Sequence, residues 1–217
     1  MQQRVITIVL LLGLGFGLAL LASAASRWHM PDNQQGYAPE QPIAYSHRLH
    51  AGELQIDCKF CHSASESSRY AGIPSSDVCM KCHKYVTAPF AEMQQEMQLA
   101  DQEERKPKTV ISPELKKLYQ SLALDEDLHP IAGQTPQSIP WVRVHNLPDF
   151  AYFNHQAHVV VGVSCQRCHG PVESMERVRQ YATLSMGWCV NCHRESTRDG
   201  VNGRQVDAST DCTVCHH

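Results

Sequence analysis

The sequence predicts a mainly α-helical fold with low regular secondary structure, preceded by one N-terminal transmembrane helix. Two observations support this prediction. All ten cysteines of the 217-residue chain fall in five C-x-x-C-H units. Residues 5–25 contain no charged side chain. The C-x-x-C-H units indicate a fold built around cofactors, and the uncharged stretch indicates a membrane anchor at the N-terminal end.

The five C-x-x-C-H units predict covalent haem attachment. Two thiols three residues apart can form thioethers at one porphyrin edge, and the next residue then places an imidazole on one face of the iron. Zinc ribbons and disulfide frameworks also pair cysteines, but neither requires His directly after every second one. We therefore expect five haems c. The predicted attachment and proximal residues are Cys58, Cys61, His62, Cys79, Cys82, His83, Cys165, Cys168, His169, Cys189, Cys192, His193, Cys212, Cys215 and His216.

Five porphyrins would make up a large part of the hydrophobic core in a chain of this length. Each is a large apolar plate, so much of the hydrophobic burial would be protein onto cofactor rather than protein onto protein. We therefore expect short helices, long loops and little sheet, organised around the five haems. The formal net charge is −3 and no basic patch occurs, so we do not expect a nucleic-acid partner.

Residues 5–25 are long and apolar enough to span a bilayer. The apolar part of a signal peptide is usually shorter, about 7 to 15 residues. The counter-indication is Ala22-Ser-Ala24, which resembles a signal-peptidase cleavage site. We favour an uncleaved anchor and keep a cleaved leader as the alternative.

Arg4 precedes the apolar stretch and predicts a cytoplasmic N-terminus, with the body of the protein in the periplasm. Gly13 and Gly17 form a G-x-x-x-G pair that permits close helix packing in a membrane. Glycine is also simply common in such helices. Trp28 and His29 would then lie at the membrane interface.

A short pattern occurs twice, each time before a C-x-x-C-H unit. Residues 45–50 read YSHRLH and residues 153–158 read FNHQAH. Two histidines three residues apart can serve the adjacent haem and a second one. The alternative is that these histidines are simply exposed on helices, but this does not explain why the same pattern occurs twice before a C-x-x-C-H unit. The four predicted distal ligands are His47, His50, His155 and His158.

The repeat and the spacing of the units divide the chain into five segments. These are an anchor (1–27), a proline-containing linker (28–44), a two-haem module (45–83), an insert without cysteine (84–140) and a three-haem module (141–217).

The insert is predicted to hold two helices. Residues 91–104 have a helical composition, and Ser112-Pro-Glu114 is typical of a helix start. Leu115, Leu118, Tyr119 and Leu122 would give the second helix one apolar face. The insert could serve as a scaffold or as a docking surface. Further along, residues 170–180 are expected to form a short helix and residues 194–211 a loop.

The fifth distal ligand is left open between two residues. His145 lies ten residues before His155, and Met186 lies three residues before Cys189. A His/Met haem has a higher potential than a bis-His haem, whereas Met186 could also simply pack on a porphyrin face. Met175, His129 and His217 are the remaining candidates. Because all five units keep their proximal His, the sequence favours an electron relay over an enzyme.

The chain resembles the pentahaem membrane-anchored subunit of bacterial alternative complex III and, more distantly, class III multihaem cytochromes c. The resemblance extends over most of residues 40–195. It rests on residues 45–50, 71–74 (AGIP), 141–150 (WVRVHNLPDF), 153–158 and 184–189 (LSMGWC).

The resemblance implies a role that spacing alone does not give. Such a chain relays electrons within a quinol-oxidising membrane complex, towards a periplasmic cytochrome or a terminal oxidase. Its partners would be a large iron–sulfur subunit, polytopic quinol-binding subunits and a monohaem cytochrome c. Two alternatives are a stand-alone membrane-anchored quinol dehydrogenase and a multihaem reductase enzyme.

Overall fold

The computed structural model describes residues 2–25 and 34–216. Within these ranges the regular structure is helical, and the backbone pairs elsewhere only through three isolated bridges rather than through strands. Most of the helices are short. The predicted mainly helical fold with little regular structure is therefore confirmed.

The helices follow one another in the order of the chain. They are α1 (Gln2–Ala25), a π-helical turn (Arg48–Glu53), α2 (Cys58–Cys61), a 3₁₀ turn (Ser63–Glu66), α3 (Ser76–His83), α4 (Phe90–Gln102), α5 (Pro113–Ser121), α6 (His155–Val160), α7 (Cys165–His169), a second 3₁₀ turn (Val172–Ser174), α8 (Met186–Asp199) and α9 (Cys212–Cys215).

Helix α1 carries the predicted anchor. Its stretch Gln2–Ser23 is long and apolar enough to cross a membrane, and none of it is buried against the rest of the chain. A single apolar helix at this end is compatible with a single-pass anchor. Trp28, His29 and His217 lie outside the described residues.

Residues 34–44, in the predicted linker, run along the body of the protein. The backbone N–H of Gln180 donates to the carbonyl of Tyr37 at 3.0 Å. The side chain of Gln41 bonds both the N–H and the carbonyl of Val142, each at 2.9 Å. This part of the linker is therefore held by long-range hydrogen bonds and does not hang free.

The insert builds a small core of its own. Helix α4 matches the predicted first helix. Helix α5 begins as predicted, because Ser112 caps it and accepts the N–H of Leu115 at 3.4 Å, with Pro113 in the first turn. Leu118 and Tyr119 are buried together with Ile111. The apolar face predicted for this helix is confirmed.

Two predictions for the C-terminal part were wrong. Residues 170–180 do not form a helix: Gly170 has φ +71°, only the 3₁₀ turn follows, and Met175 is extended. Gln180 is instead 1% exposed and bonded to residues distant in sequence. Residues 194–211 are not all loop, because α8 continues to Asp199 and ends at Gly200, whose φ is +76°.

Candidate haem sites

Each C-x-x-C-H unit lies on a helix. One helical turn places residues three apart on the same side, so both thiols of a unit face one direction. All ten cysteines are free and none forms a disulfide. Three of the helix starts are capped by side chains, those of Asp57, Ser185 and Asp211, which accept a first-turn N–H at 2.7, 3.3 and 2.8 Å.

The histidine that ends each unit is oriented through its Nδ1. In four units a backbone carbonyl accepts from this nitrogen, which leaves Nε2 for a metal. The pairs are His62 with Gly72 (2.7 Å), His83 with Val86 (2.8 Å), His193 with Ser209 (2.6 Å) and His216 with Phe150 (3.3 Å). In the third unit, Nδ1 of His169 instead faces Nε2 of His145 at 3.2 Å.

Three of these proximal rings face a predicted distal ring at a similar distance. Two imidazoles on opposite sides of one iron, each with a metal–nitrogen bond of about 2 Å, have ring centres roughly 6 Å apart. The observed centroid distances are 6.1 Å for His50 and His83, 6.4 Å for His155 and His169, and 5.9 Å for His158 and His193.

The fourth predicted distal ligand, His47, lies in the same kind of environment as His155. In the first repeat, the Tyr45 ring is 4.8 Å from His47 at 84° and 4.4 Å from His50 at 24°. In the second repeat, the Phe153 ring is 4.9 Å from His155 at 87° and 4.5 Å from His158 at 27°. The two repeats therefore hold their histidines in the same geometry. Since His155 faces the proximal His169 of the unit that follows it, His47 is paired by analogy with the proximal His62.

Burial keeps several of these imidazoles neutral, which is the form that binds a metal. It lowers the pKa of His169 to about 3, with a further contribution from His145. It lowers the pKa of His47 to about 4, with contributions from His62 and His50. Nδ1 of His47 is buried and bonds none of the described residues.

The attachment sites lie in one row whose order differs from the order of the sequence. Burial raises the pKa of Cys58, and the nearby Cys165 raises it further, so the first and third units are neighbours. On one side, Lys81 of the second unit lies 5.3 Å from the Phe60 ring of the first.

On the other side of the row, Arg167 of the third unit contacts the thiol of Cys192 at 4.0 Å and Glu195 at 2.7 Å. The last step is from the fourth unit to the fifth. Burial raises the pKa of Cys189, and the nearby Cys215 raises it further. The order in space is therefore second, first, third, fourth, fifth.

Hydrogen bonds at two further places join the predicted modules. The π-helical turn packs on the second 3₁₀ turn, where Arg48 donates through its N–H to the carbonyl of Met175 at 3.0 Å and through Nε to Glu176 at 2.9 Å. Elsewhere, the carbonyl of Arg69 accepts from both N–H and Nδ1 of His155, at 3.1 and 2.9 Å. The two-haem module therefore helps to orient a predicted ligand of the three-haem module.

The residues around the units fit an apolar plate. Few apolar side chains outside α5 are buried among the described residues. Large apolar side chains near the units are instead exposed, including Phe60, Tyr70, Ile73, Val160, Met186 and Val214. Paired thiols, facing imidazoles and uncovered apolar side chains together match a covalent haem better than a zinc site.

Comparison with known proteins supports this fit. Residues 151–217, which hold the third, fourth and fifth units, match the family described as cytochrome c7 and related cytochrome c. This part of the chain is a cytochrome c7-like multihaem domain. The chain is also similar to the menaquinone reductase, multiheme cytochrome c subunit, of Nitratidesulfovibrio vulgaris. The two are 25% identical over 197 residues, which cover 82% of this chain and 77% of that subunit.

The similarity therefore indicates a membrane-associated multihaem cytochrome c with covalent c-type haems and a role in electron transfer. It does not single out alternative complex III. The c7-like domain contains the second repeat and Met186, one of the two candidate fifth ligands, whereas His145 lies just before it.

Sequence reasoning missed two contacts at these sites. The hydroxyl of Tyr119 donates to the carbonyl of the proximal His83 at 2.5 Å, and the α5 core includes Cys79 and Met80. The insert therefore supports the second site, as a scaffold would. The other missed contact is the one between His145 and His169. Both join residues distant in sequence and leave no local signal.

Proposed function

We propose that this chain is the electron-relay subunit of a membrane quinol-oxidising respiratory complex of the alternative complex III type. The observation that carries the proposal is the set of three imidazole pairs at axial-ligand distance, His50–His83, His155–His169 and His158–His193, on a continuous row of attachment sites. A row of closely spaced one-electron centres suits a conductor.

The ten cysteines would hold five haems c, with His62, His83, His169, His193 and His216 as proximal ligands. His47, His50, His155 and His158 would be the distal ligands of the first four. When bound, the haems supply reversible one-electron redox chemistry. The protein orients each proximal ring through Nδ1, keeps the imidazoles neutral and brings the two repeats into contact.

Met186 is the better candidate for the fifth distal ligand. Nε2 of His145 already lies against His169, whereas Met186 is 70% exposed at the start of α8. It is on the same side of that helix as Cys189, which lies near Cys215 of the fifth unit. The fifth haem would then be His/Met and have the highest potential, at one end of the row.

We infer that α1 is a single-pass anchor in the cytoplasmic membrane, with the N-terminus in the cytoplasm and the haem-bearing body in the periplasm. Arg4 before the helix supports this orientation. The proposed partners are an iron–sulfur subunit, polytopic quinol-binding subunits and a monohaem cytochrome c. Electrons would leave towards a periplasmic cytochrome or a terminal oxidase.

The chain would not be an enzyme by itself. The named relative is a subunit of a menaquinone reductase, which supports a role within a larger complex. A stand-alone quinol dehydrogenase is the second candidate, because one membrane helix could also bring quinol to the haems. A multihaem reductase would require an iron that is open to substrate.

The test is to purify the full-length, haem-loaded chain both alone and within its native membrane complex. We expect five low-spin haems, no carbon monoxide binding, and quinol oxidation only in the complex. Robust quinol oxidation by the chain alone would instead establish the stand-alone dehydrogenase. A high-spin haem that binds carbon monoxide would establish an open site and a reductase.

A further inference from the structure

The third haem site differs from the other four in what its proximal histidine contacts. Nε2 of His145 lies 3.2 Å from Nδ1 of His169. The two ring centres are 4.3 Å apart and the rings meet edge to face at 74°. In the other four units, the atom at this place is a backbone carbonyl oxygen.

The contact fixes the roles of the two rings. His155 faces His169 at 6.4 Å with the ring planes only 13° apart, an arrangement suited to two ligands of one iron. Nε2 of His169 would then carry the iron and its Nδ1 the proton. His145 must accept that proton through Nε2, so its own Nδ1 carries a hydrogen.

The backbone around His145 is held by hydrogen bonds to neighbouring side chains. The side chain of Arg143 donates through Nε to the carbonyl of His145 at 2.9 Å. The next residue, Asn146, donates its N–H to Oε1 of Gln180 at 3.1 Å. Gln180 is 1% exposed and also bonds Ala182. Two side chains therefore hold the backbone at His145 and Asn146.

We propose that His145 is a positioning residue for the third haem, which orients His169 and lowers the potential of that haem. An imidazole nitrogen is a stronger acceptor than a peptide carbonyl. A stronger hydrogen bond from Nδ1 makes the ligating nitrogen more basic and stabilises the oxidised metal. This inference rests on the proposed function, because it requires a haem at the third unit.

The effect would act at the centre of the row. The third unit contacts the first through Cys165 and Cys58 and the fourth through Arg167 and Cys192. Every electron transferred between the two modules would therefore go through the third haem, whose potential His145 lowers. A lower potential here would separate the two haems of the first module from the fourth and fifth haems.

The experiment compares full-length haem-loaded variants by redox titration and by electron paramagnetic resonance of the oxidised protein. His145→Phe keeps a ring and removes the acceptor. His145→Gln keeps an acceptor oxygen that is weaker than imidazole. His129→Phe is the control, because the His129 side chain is 76% exposed in the insert.

We expect His145→Phe to keep five low-spin haems and to shift one midpoint potential upward, while the other four stay in place. His145→Gln should shift the same potential by a smaller amount, and His129→Phe should shift none. An unchanged set of potentials in both His145 variants would overturn the proposal. So would a new high-spin haem in His145→Phe, since it would make His145 a distal ligand.

If His145→Phe does not mature with five haems, His145→Gln decides alone. A small upward shift of one potential supports the proposal, and no shift overturns it. Failure of the proposed function is a separate result. It would appear in the unsubstituted protein, as fewer than five haems or as an open iron.

Discussion

Cys165 lies close enough to Cys58 to raise the pKa of the Cys58 thiol, although the two residues belong to different predicted modules of the chain. The two units therefore meet where the repeats meet. This contact places the first and third sites at the centre of the row, with the second site at one end and the fifth at the other. The contact therefore joins the attachment sites of the two-haem module to those of the three-haem module.

Gly52 should be intolerant of a side chain, because it lies where the π-helical turn crosses the second 3₁₀ turn. A Cβ added there would collide with the backbone carbonyl of Glu173. We expect Gly52→Ala to destabilise the haem-loaded protein by roughly 1 to 3 kcal/mol, a usual cost of overpacking. Thermal unfolding monitored in the Soret band measures the effect.

Ala91→Ser is the control for this substitution. It also adds one heavy atom, but at an exposed position of α4, and should leave the unfolding midpoint unchanged. Equal midpoints for Gly52→Ala and Ala91→Ser would show that the contact between the two turns adds nothing to stability.

Tyr119→Phe should weaken the second haem site. The substitution removes the donor to the carbonyl of His83, and an unsatisfied buried carbonyl costs about 1 to 3 kcal/mol. Tyr85→Phe is the matched control, because Tyr85 is 75% exposed. Chemical denaturation of the haem-loaded protein should give a lower midpoint for Tyr119→Phe alone. If both variants unfold together, the insert does not stabilise this site.

Met186→His should convert the fifth haem from His/Met to bis-His coordination. We expect the near-infrared sulfur-to-iron charge-transfer band to disappear and one midpoint potential to fall. Met186→Leu should leave a high-spin iron. Met97→Leu, at a position of α4 that is 60% exposed, serves as the control. A charge-transfer band that survives in Met186→His would assign the ligand to another residue.

The ion pair between Glu96 and Arg105 should make the insert sensitive to acid. A hydrogen bond from Arg105, helped by the N–H of Lys108, lowers the pKa of Glu96 from 4.5 to about 2. Because the folded pKa is the lower one, this contribution to stability is present above pH 4.5 and is lost as the pH falls towards 2.

Glu96→Gln should therefore unfold at a lower temperature than the unsubstituted protein at neutral pH, and the difference should shrink as the pH approaches 2. Circular dichroism of thermal unfolding measures both. Glu92→Gln, on the exposed first turn of the same helix, should show no such trend. A constant difference at all pH values would rule out the carboxylate as its cause.

Local sequence rules predicted the elements that depend on local chemistry. The Ser112 cap and the apolar face of α5 follow from neighbouring residues alone. The duplicated histidine pattern also singled out His50 and His155, whose rings lie 6.1 and 6.4 Å from the rings of His83 and His169. These features need only the spacing of side chains along one helix or turn.

The parts that failed depend on contacts between distant segments. Residues 170–180 have an acceptable helical composition, but Gln180 bonds Tyr37, Asn146 and Ala182 instead. The partner of His169 likewise comes from 24 residues upstream. The order of the sites could not be predicted either, because it is set where the two repeats meet.

The most direct test of the electron-relay account is an experimental structure of the haem-loaded chain that resolves the axial ligands. The account predicts that His50 and His83 share one iron, as do His155 and His169, and His158 and His193. It also predicts that the haems follow one another in the order second, first, third, fourth, fifth. Facing histidines on different irons, or a first and third haem that are not neighbours, would contradict it.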